Sequence, residues 1–134
     1  MDLAMNKNDL VLIVDDEKSC RDVLRTVLEL FKVRVIEAPN GSEGTNLALT
    51  QRPALIFMDL NMPEMDGFQA SRAIRSNPDV GKTPIIAMSA DDTRLQKSKA
   101  FNAGCIEWLS KPWEFSEVFG VLERFLWVRK LKTA

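Results

Sequence analysis

A chain of 134 residues, 46% apolar and 28% charged, has the size and balance of one globular domain with its own core and excludes a fibrous or low-complexity protein. The formal net charge is −1, with basic residues scattered among acidic ones, which weighs against the concentrated positive face that nucleic-acid backbones require. No apolar run nears bilayer-spanning length and the first nine residues hold no apolar leader, so a cytoplasmic protein with no membrane or nucleic-acid partner is expected.

Residues 1–8 read as a flexible lead-in, 9–128 as the domain and 129–134 as a tail, where Lys130 and Lys132 would complement a helix C-terminus. The first apolar run, Leu10 to Val14, has strand length and delivers the chain to Asp15 and Asp16. Cys20, Val23, Leu24, Val27, Leu28 and Phe31 then recur at helical spacing. A second strand, Val33 to Glu37, leads to the turn Pro39-Asn40-Gly41 and a second helix. The third strand, Ala54 to Met58, ends at Asp59, and a loop from Pro63 to Gly67 opens the third helix. After the punctuated stretch Asn77 to Pro84, the fourth strand, Pro84 to Met88, ends at Ser89. The fourth helix, roughly Thr93 to Ala103, has a thin stripe, with Leu95 and Phe101 among Arg94, Lys97 and Lys99, and is a candidate moving part. The fifth strand, Ile106 to Leu109, runs to Lys111-Pro112, and Phe115, Val118, Phe119, Leu122, Phe125 and Leu126 mark a last helix on which Trp113 and Phe115 would seat against the sheet.

Five βα units call for an α/β fold: a doubly wound parallel sheet with helices on both faces, a flavodoxin-like (βα)5 arrangement. The first, third and fourth runs are continuously apolar, as central parallel strands are, whereas the second and fifth carry Arg34 and Glu107 and read as edges. The strand order is then 2-1-3-4-5, with its switch point between strands 1 and 3. Cys20 and Cys105 lack metal-type spacing and read as buried or half-buried free thiols.

Parallel strands bring Asp15, Asp16, Asp59, Ser89 and Lys111 to one edge of the sheet. Singly, each reads as a helix cap or turn; Asp15 or Asp16 could cap the first helix, and Ser89 could sit in a turn. As a set they form a site. Crowded carboxylates either gain protons or gather a cation, and oxygen ligands without His or Cys favour Mg²⁺ over Zn²⁺. A carboxylate can itself be the nucleophile in phosphoryl transfer, with the metal and a lysine offsetting charge on the transferring group. Asp59, at the end of the central strand, is the best placed, with Ser89 as hydrogen-bond donor and the amides of Leu60 to Met62 and Ala90 as further donors.

Val14-Asp15-Asp16-Glu17, the stretch Met58 to Gly67, Met88-Ser89-Ala90 and the stretch Gly104 to Trp113 resemble the response-regulator receiver domain of two-component signalling, a resemblance covering roughly Asp9 to Trp127. It implies that Asp59 is the phosphoacceptor; that Asp16, Asp59 and the backbone carbonyl of Asn61 contact Mg²⁺, with Mn²⁺ as a substitute; and that Asp15 acts through metal-bound water. It also implies that Ser89 follows the phosphoryl group inward, that Lys111 grips it, and that the Lys111–Pro112 peptide is cis. Trp108 holds the position of an aromatic switch usually filled by Tyr or Phe, and Asn61 and Asp91 hold positions that tune hydrolysis.

The function so implied is that of a single-domain regulator rather than a turnover enzyme. With no histidine in the chain, phosphate arrives in trans from a histidine kinase or phosphotransfer protein. The signal leaves through a protein contact on the fourth helix, fifth strand and fifth helix; a relay intermediate passing phosphate onward is the alternative. A phosphatase with a nucleophilic Asp would need a general acid where Asn61 stands, and a flavin module would need phosphate donors where Asp15-Asp16-Glu17 would repel one.

Overall fold

The computed structural model describes residues 9–127. The expected lead-in, tail, Lys130 and Lys132 lie outside them. Five strands, β1 (Leu10–Val14), β2 (Arg34–Ala38), β3 (Leu55–Asp59), β4 (Ile85–Ser89) and β5 (Glu107–Ser110), alternate with α1 (Lys18–Leu30), α2 (Gly41–Gln51), α3 (Gly67–Arg75), α4 (Arg94–Asn102) and α5 (Phe115–Leu122). The sheet is parallel throughout and ordered β2-β1-β3-β4-β5, as the charged edge runs imply. β1, β3 and β4 are buried at every residue, whereas β2 and β5 are partly open along one side.

Alternation along each strand splits the core into two layers. Leu12, Val14, Ile56 and Met58 face α2, α3 and α4, where Ala48, Phe68, Ile74 and Ala100 meet them. Val11, Ile13, Leu55 and Phe57 face α1 and α5, meeting Leu24, Leu28, Val118 and Leu122. Each fully buried Leu, Ile or Phe contributes roughly 1.5–3 kcal/mol, so the central strands are held from both sides.

Strands β2 to β5 each start and end one residue later than the apolar runs suggest. The backbone ladder continues through the polar side chain that closes β3 and β4: Asp59 pairs in register with Met88, and Ser89 with Ser110. The last helix also departs from a single α-helical stripe. α5 passes into a π-helical segment, Glu123–Trp127, whose wider turn buries Leu126 and Trp127 while Phe125 is half-buried. The Trp127 ring lies 5.7 Å from that of Phe31 and 5.1 Å from that of Phe119. Val23 and Phe115 do not sink into the core; they are 56% and 50% exposed, and the Phe115 ring lies 5.5 Å from that of Phe31, the C-cap residue of α1, rather than on the sheet. Cys20 is half-buried, Cys105 is buried, and both are free.

Turn chemistry fixes where the helices begin. Asn40 caps α2, Thr93 caps α4, and Asp66 with Gln69 closes a reciprocal capping box on α3. Gly67 starts α3 directly over the end of β3, where a Cβ would stand 2.2 Å from the Asp59 carbonyl oxygen. Gly104 turns the chain at φ +105° between α4 and β5. There Arg75 donates to the Gly104 carbonyl at 2.8 Å and also to the carbonyls of Gly81 and Thr83, tying α4's C-terminal end to the start of β4. α4's other end is thinly held: Ala100 is its only buried residue, and Leu95 is 69% exposed.

The Gly67 contact is with backbone, which cannot swing aside. Gly67→Ala is expected to cost about 2 kcal/mol, read as a thermal midpoint roughly 8 °C lower; an unchanged midpoint would show that α3 can start further from β3.

Candidate functional site

The parallel register delivers the candidate side chains to neighbouring strand ends. Asp15 and Asp16 follow β1, Asp59 and Ser89 close β3 and β4, and Lys111 follows β5, its backbone N–H bound to the Ser89 carbonyl at 2.9 Å. Adjacent strands lie about 4.8 Å apart, so side chains at the same level meet. One carboxylate oxygen from each of Asp15, Asp16 and Asp59 lies within 4.8 Å of the others. Asp15 and Asp59 are 1% and 4% exposed, Ser89 is fully buried, and Asp16 stands at the open mouth.

Lys111 reaches into this cluster from the far side. Its Nζ lies 2.7 Å from Asp15 Oδ2 and 3.7 Å from Asp59 Oδ1. Asp15 does not cap α1; its Oδ1 accepts the Glu17 N–H at 2.9 Å, and the cap residue Glu17 makes no side-chain cap bond. Arg21, largely buried, donates to the Asp15 carbonyl oxygen at 2.7 Å and to Glu37 Oε1 at 3.1 Å. Arg25 also pairs with Glu37, so the acid-bearing loop is braced against β2. These basic contacts carry no local sequence signature, because each spans ten or more residues or ends on a backbone carbonyl.

Three carboxylates against one ammonium leave an excess of negative charge. Burial pushes the Asp59 carboxyl up to about 7, the Asp15 charge pushes the same way, and Lys111 and the Asn61 N–H resist. Burial works against the Lys111 charge, but its hydrogen bond to Asp15 and the nearby Asp59 outweigh this and raise its pKa. A divalent cation would offset what Lys111 leaves, and a set of carboxylate oxygens without His or Cys suits Mg²⁺.

Around this centre, Asn61 Nδ2 donates to Ser89 Oγ at 2.8 Å, a contact between two loops that sequence alone does not signal. Leu60 does not offer its amide to the site, because that N–H donates to the Met88 carbonyl at 3.0 Å within the sheet. Asp91 is exposed; its N–H donates to Ser89 Oγ at 3.0 Å and its Oδ1 accepts the Thr93 N–H. Trp108 is half-buried against the α4 side of the core, donates its Nε1–H to Ser110 Oγ at 3.0 Å, and has Lys97 Nζ 5.8 Å from its ring. The Lys111–Pro112 peptide bond is cis. An apolar cleft of about 430 Å³, bounded by Cys20, Val23, Ala90, Pro112 and Trp113, opens beside the acids with Lys111 in its wall.

The family model for the response regulator receiver domain matches residues 11–123. The transcriptional regulatory protein SrrA of Staphylococcus aureus is 36% identical over 108 residues, which make up 81% of this chain and 44% of that protein. The chain therefore spans less than half the length of the curated relatives it matches. Chemotaxis protein CheY4 of Vibrio cholerae superposes with a TM-score of 0.84 at 30% identity, covering 89% of this chain and 99% of that one. The receiver domain of the sensor histidine kinase PA1611 of Pseudomonas aeruginosa, solved with a magnesium ion coordinated in the active site cleft, superposes with a TM-score of 0.82 at 29% identity, covering 88% and 97%.

The Asp59 carboxyl is harder to ionise in the fold than in the unfolded chain, so its contribution to stability falls as pH rises from its unfolded value near 3.8 through its folded value of about 7. In chelator, Asp59→Asn is expected to raise the thermal midpoint at about pH 8 and to leave it nearly unchanged at about pH 4. An equal effect at both would mean that charge crowding at Asp59 is not what the substitution relieves.

Proposed function

The chain belongs to the response regulator receiver domain family, and from that membership and the charge balance of its acidic pocket we propose that it accepts a phosphoryl group on Asp59 from a histidine kinase or phosphotransfer protein. The observation that carries this reading is the convergence of Asp15, Asp16 and Lys111 on Asp59 at the β1/β3 switch point.

In the transfer, an Asp59 oxygen attacks phosphorus, the phosphorus–nitrogen bond to the donor imidazole breaks, and its electron pair stays on that nitrogen. Asp16, Asp59 and the Asn61 carbonyl would hold Mg²⁺ directly, with Mn²⁺ as a substitute, and Asp15 would hold it through water. Such a cation would offset the crowding that raises the Asp59 pKa and supply positive charge to the transferring group. Lys111, already 3.7 Å from Asp59, supplies a fixed positive charge to a phosphoryl oxygen, and Ser89 supplies its O–H. A protein donor has to cover the pocket mouth, and the apolar cleft by Cys20, Val23 and Pro112 gives it a surface to do so.

Downstream, the signal leaves through α4, β5 and α5. Leu95, Phe101 and Ile106 are exposed there, and α4 is thinly anchored. Lys111 N–H on the Ser89 carbonyl and Trp108 Nε1 on Ser110 Oγ connect the pocket to that face, so a shift of Ser89 is carried to the indole. Asn61 and Asp91 flank the route by which water attacks the phosphoryl group and set its lifetime. The reading places the protein in the cytoplasm, as a signalling partner rather than a turnover enzyme; among the described residues no helix is long and apolar enough to cross a membrane.

Incubation with Mg²⁺ and a small acyl phosphate should place one acid-stable, hydroxylamine-labile label on the wild type, none on Asp59→Asn, and much less on Lys111→Ala. A label of equal yield on Asp59→Asn contradicts the assignment.

A further inference from the structure

We propose that the Asn61 carboxamide is a positioning group that holds the Ser89 hydroxyl in its unphosphorylated place and so sets how readily Asp59 keeps a phosphoryl group; this rests on the reading of Asp59 as phosphoacceptor. Asn61 touches both partners of that event. Its backbone N–H donates to Asp59 Oδ1 at 3.2 Å and its Nδ2 donates to Ser89 Oγ at 2.8 Å.

Ser89 Oγ also accepts the Asp91 N–H at 3.0 Å. A hydroxyl oxygen has two lone pairs, so its acceptor capacity is filled and only its O–H is left to give. The two donors belong to different loops, one after β3 and one after β4, and the fully buried hydroxyl is pinned between them. For Ser89 to follow a phosphoryl group on Asp59, the bond from Asn61 has to break. Asn61 itself is exposed, so the freed amide is hydrogen-bonded by water. The bond therefore stabilises one arrangement and not the other, and a contact with that asymmetry shifts the equilibrium by its own worth, about five-fold for one net hydrogen bond. Asn61 is thus a brake on the switch, distinct from any effect it has on attacking water.

A double-mutant cycle separates action through Ser89 from a general structural effect. Beryllofluoride, a phosphoryl mimic, is titrated calorimetrically with Mg²⁺ into the wild type, Asn61→Ala, Ser89→Ala and the double variant. Truncating an exposed side chain opens no cavity, and the alanine keeps the backbone N–H to Asp59. Asn61→Ala is expected to bind about five-fold more tightly than the wild type, and the gain should vanish in the Ser89→Ala background. Weaker binding by Asn61→Ala, or the same gain in both backgrounds, overturns the proposal. Absence of binding to the wild type overturns instead the reading of Asp59 on which it rests, so the two failures are distinguishable.

Discussion

One half-buried ammonium, that of Lys111, holds the sheet's acidic edge together. Lys111 Nζ, 2.7 Å from Asp15 and 3.7 Å from Asp59, is the fixed counter-charge to both carboxylates, and it opposes the burial and the Asp15 charge that push the Asp59 carboxyl up to about 7. It is also insufficient, because Asp16 completes a cluster that one positive charge cannot balance. A bound cation would offset that deficit, and the ionisation of Asp59 would respond to it.

The fold is arranged to hold that imbalance in place. Two apolar layers clamp β1, β3 and β4 from both sides, so the strand ends that carry Asp15, Asp59 and Ser89 have little freedom. Gly67 lets α3 start against the Asp59 carbonyl, and Arg21 braces the loop after β1. By contrast, α4 is secured at its C-terminal end by Ala100 and the Arg75–Gly104 contact, while its first turn is exposed. Firm packing behind the acids therefore contrasts with the thin anchoring of α4's first turn.

Most of this was legible in the chain because buried parallel strands leave a plain signal. Short, largely apolar runs located all five strands, and Arg34 and Glu107 identified the edges from which the strand order followed. The five side chains of the pocket were readable because each sits just where an apolar run stops. What the pattern could not show were features set by three-dimensional contact. The ladder runs on through Asp59 and Ser89, since a polar side chain does not stop backbone pairing. The π-helical turn rotates Trp127 into the core, and Val23 and Phe115 face outward although their spacing matches a buried stripe. The bonds from Asn61 to Ser89 and from Arg21 to the Asp15 carbonyl cross between loops or end on backbone, where no residue pattern marks them.

The convergence of the acids on one cation is tested most directly by calorimetric titration of Mg²⁺ in buffers of differing ionisation enthalpy, which counts both ions bound and protons released. With Asp59 titrating at about 7, one Mg²⁺ per chain should bind with net proton release near neutral pH, and the release should fade above about pH 8.5 and disappear in Asp59→Asn. Binding with no proton release at any pH, or release undiminished in Asp59→Asn, would contradict a shared site at Asp15, Asp16 and Asp59.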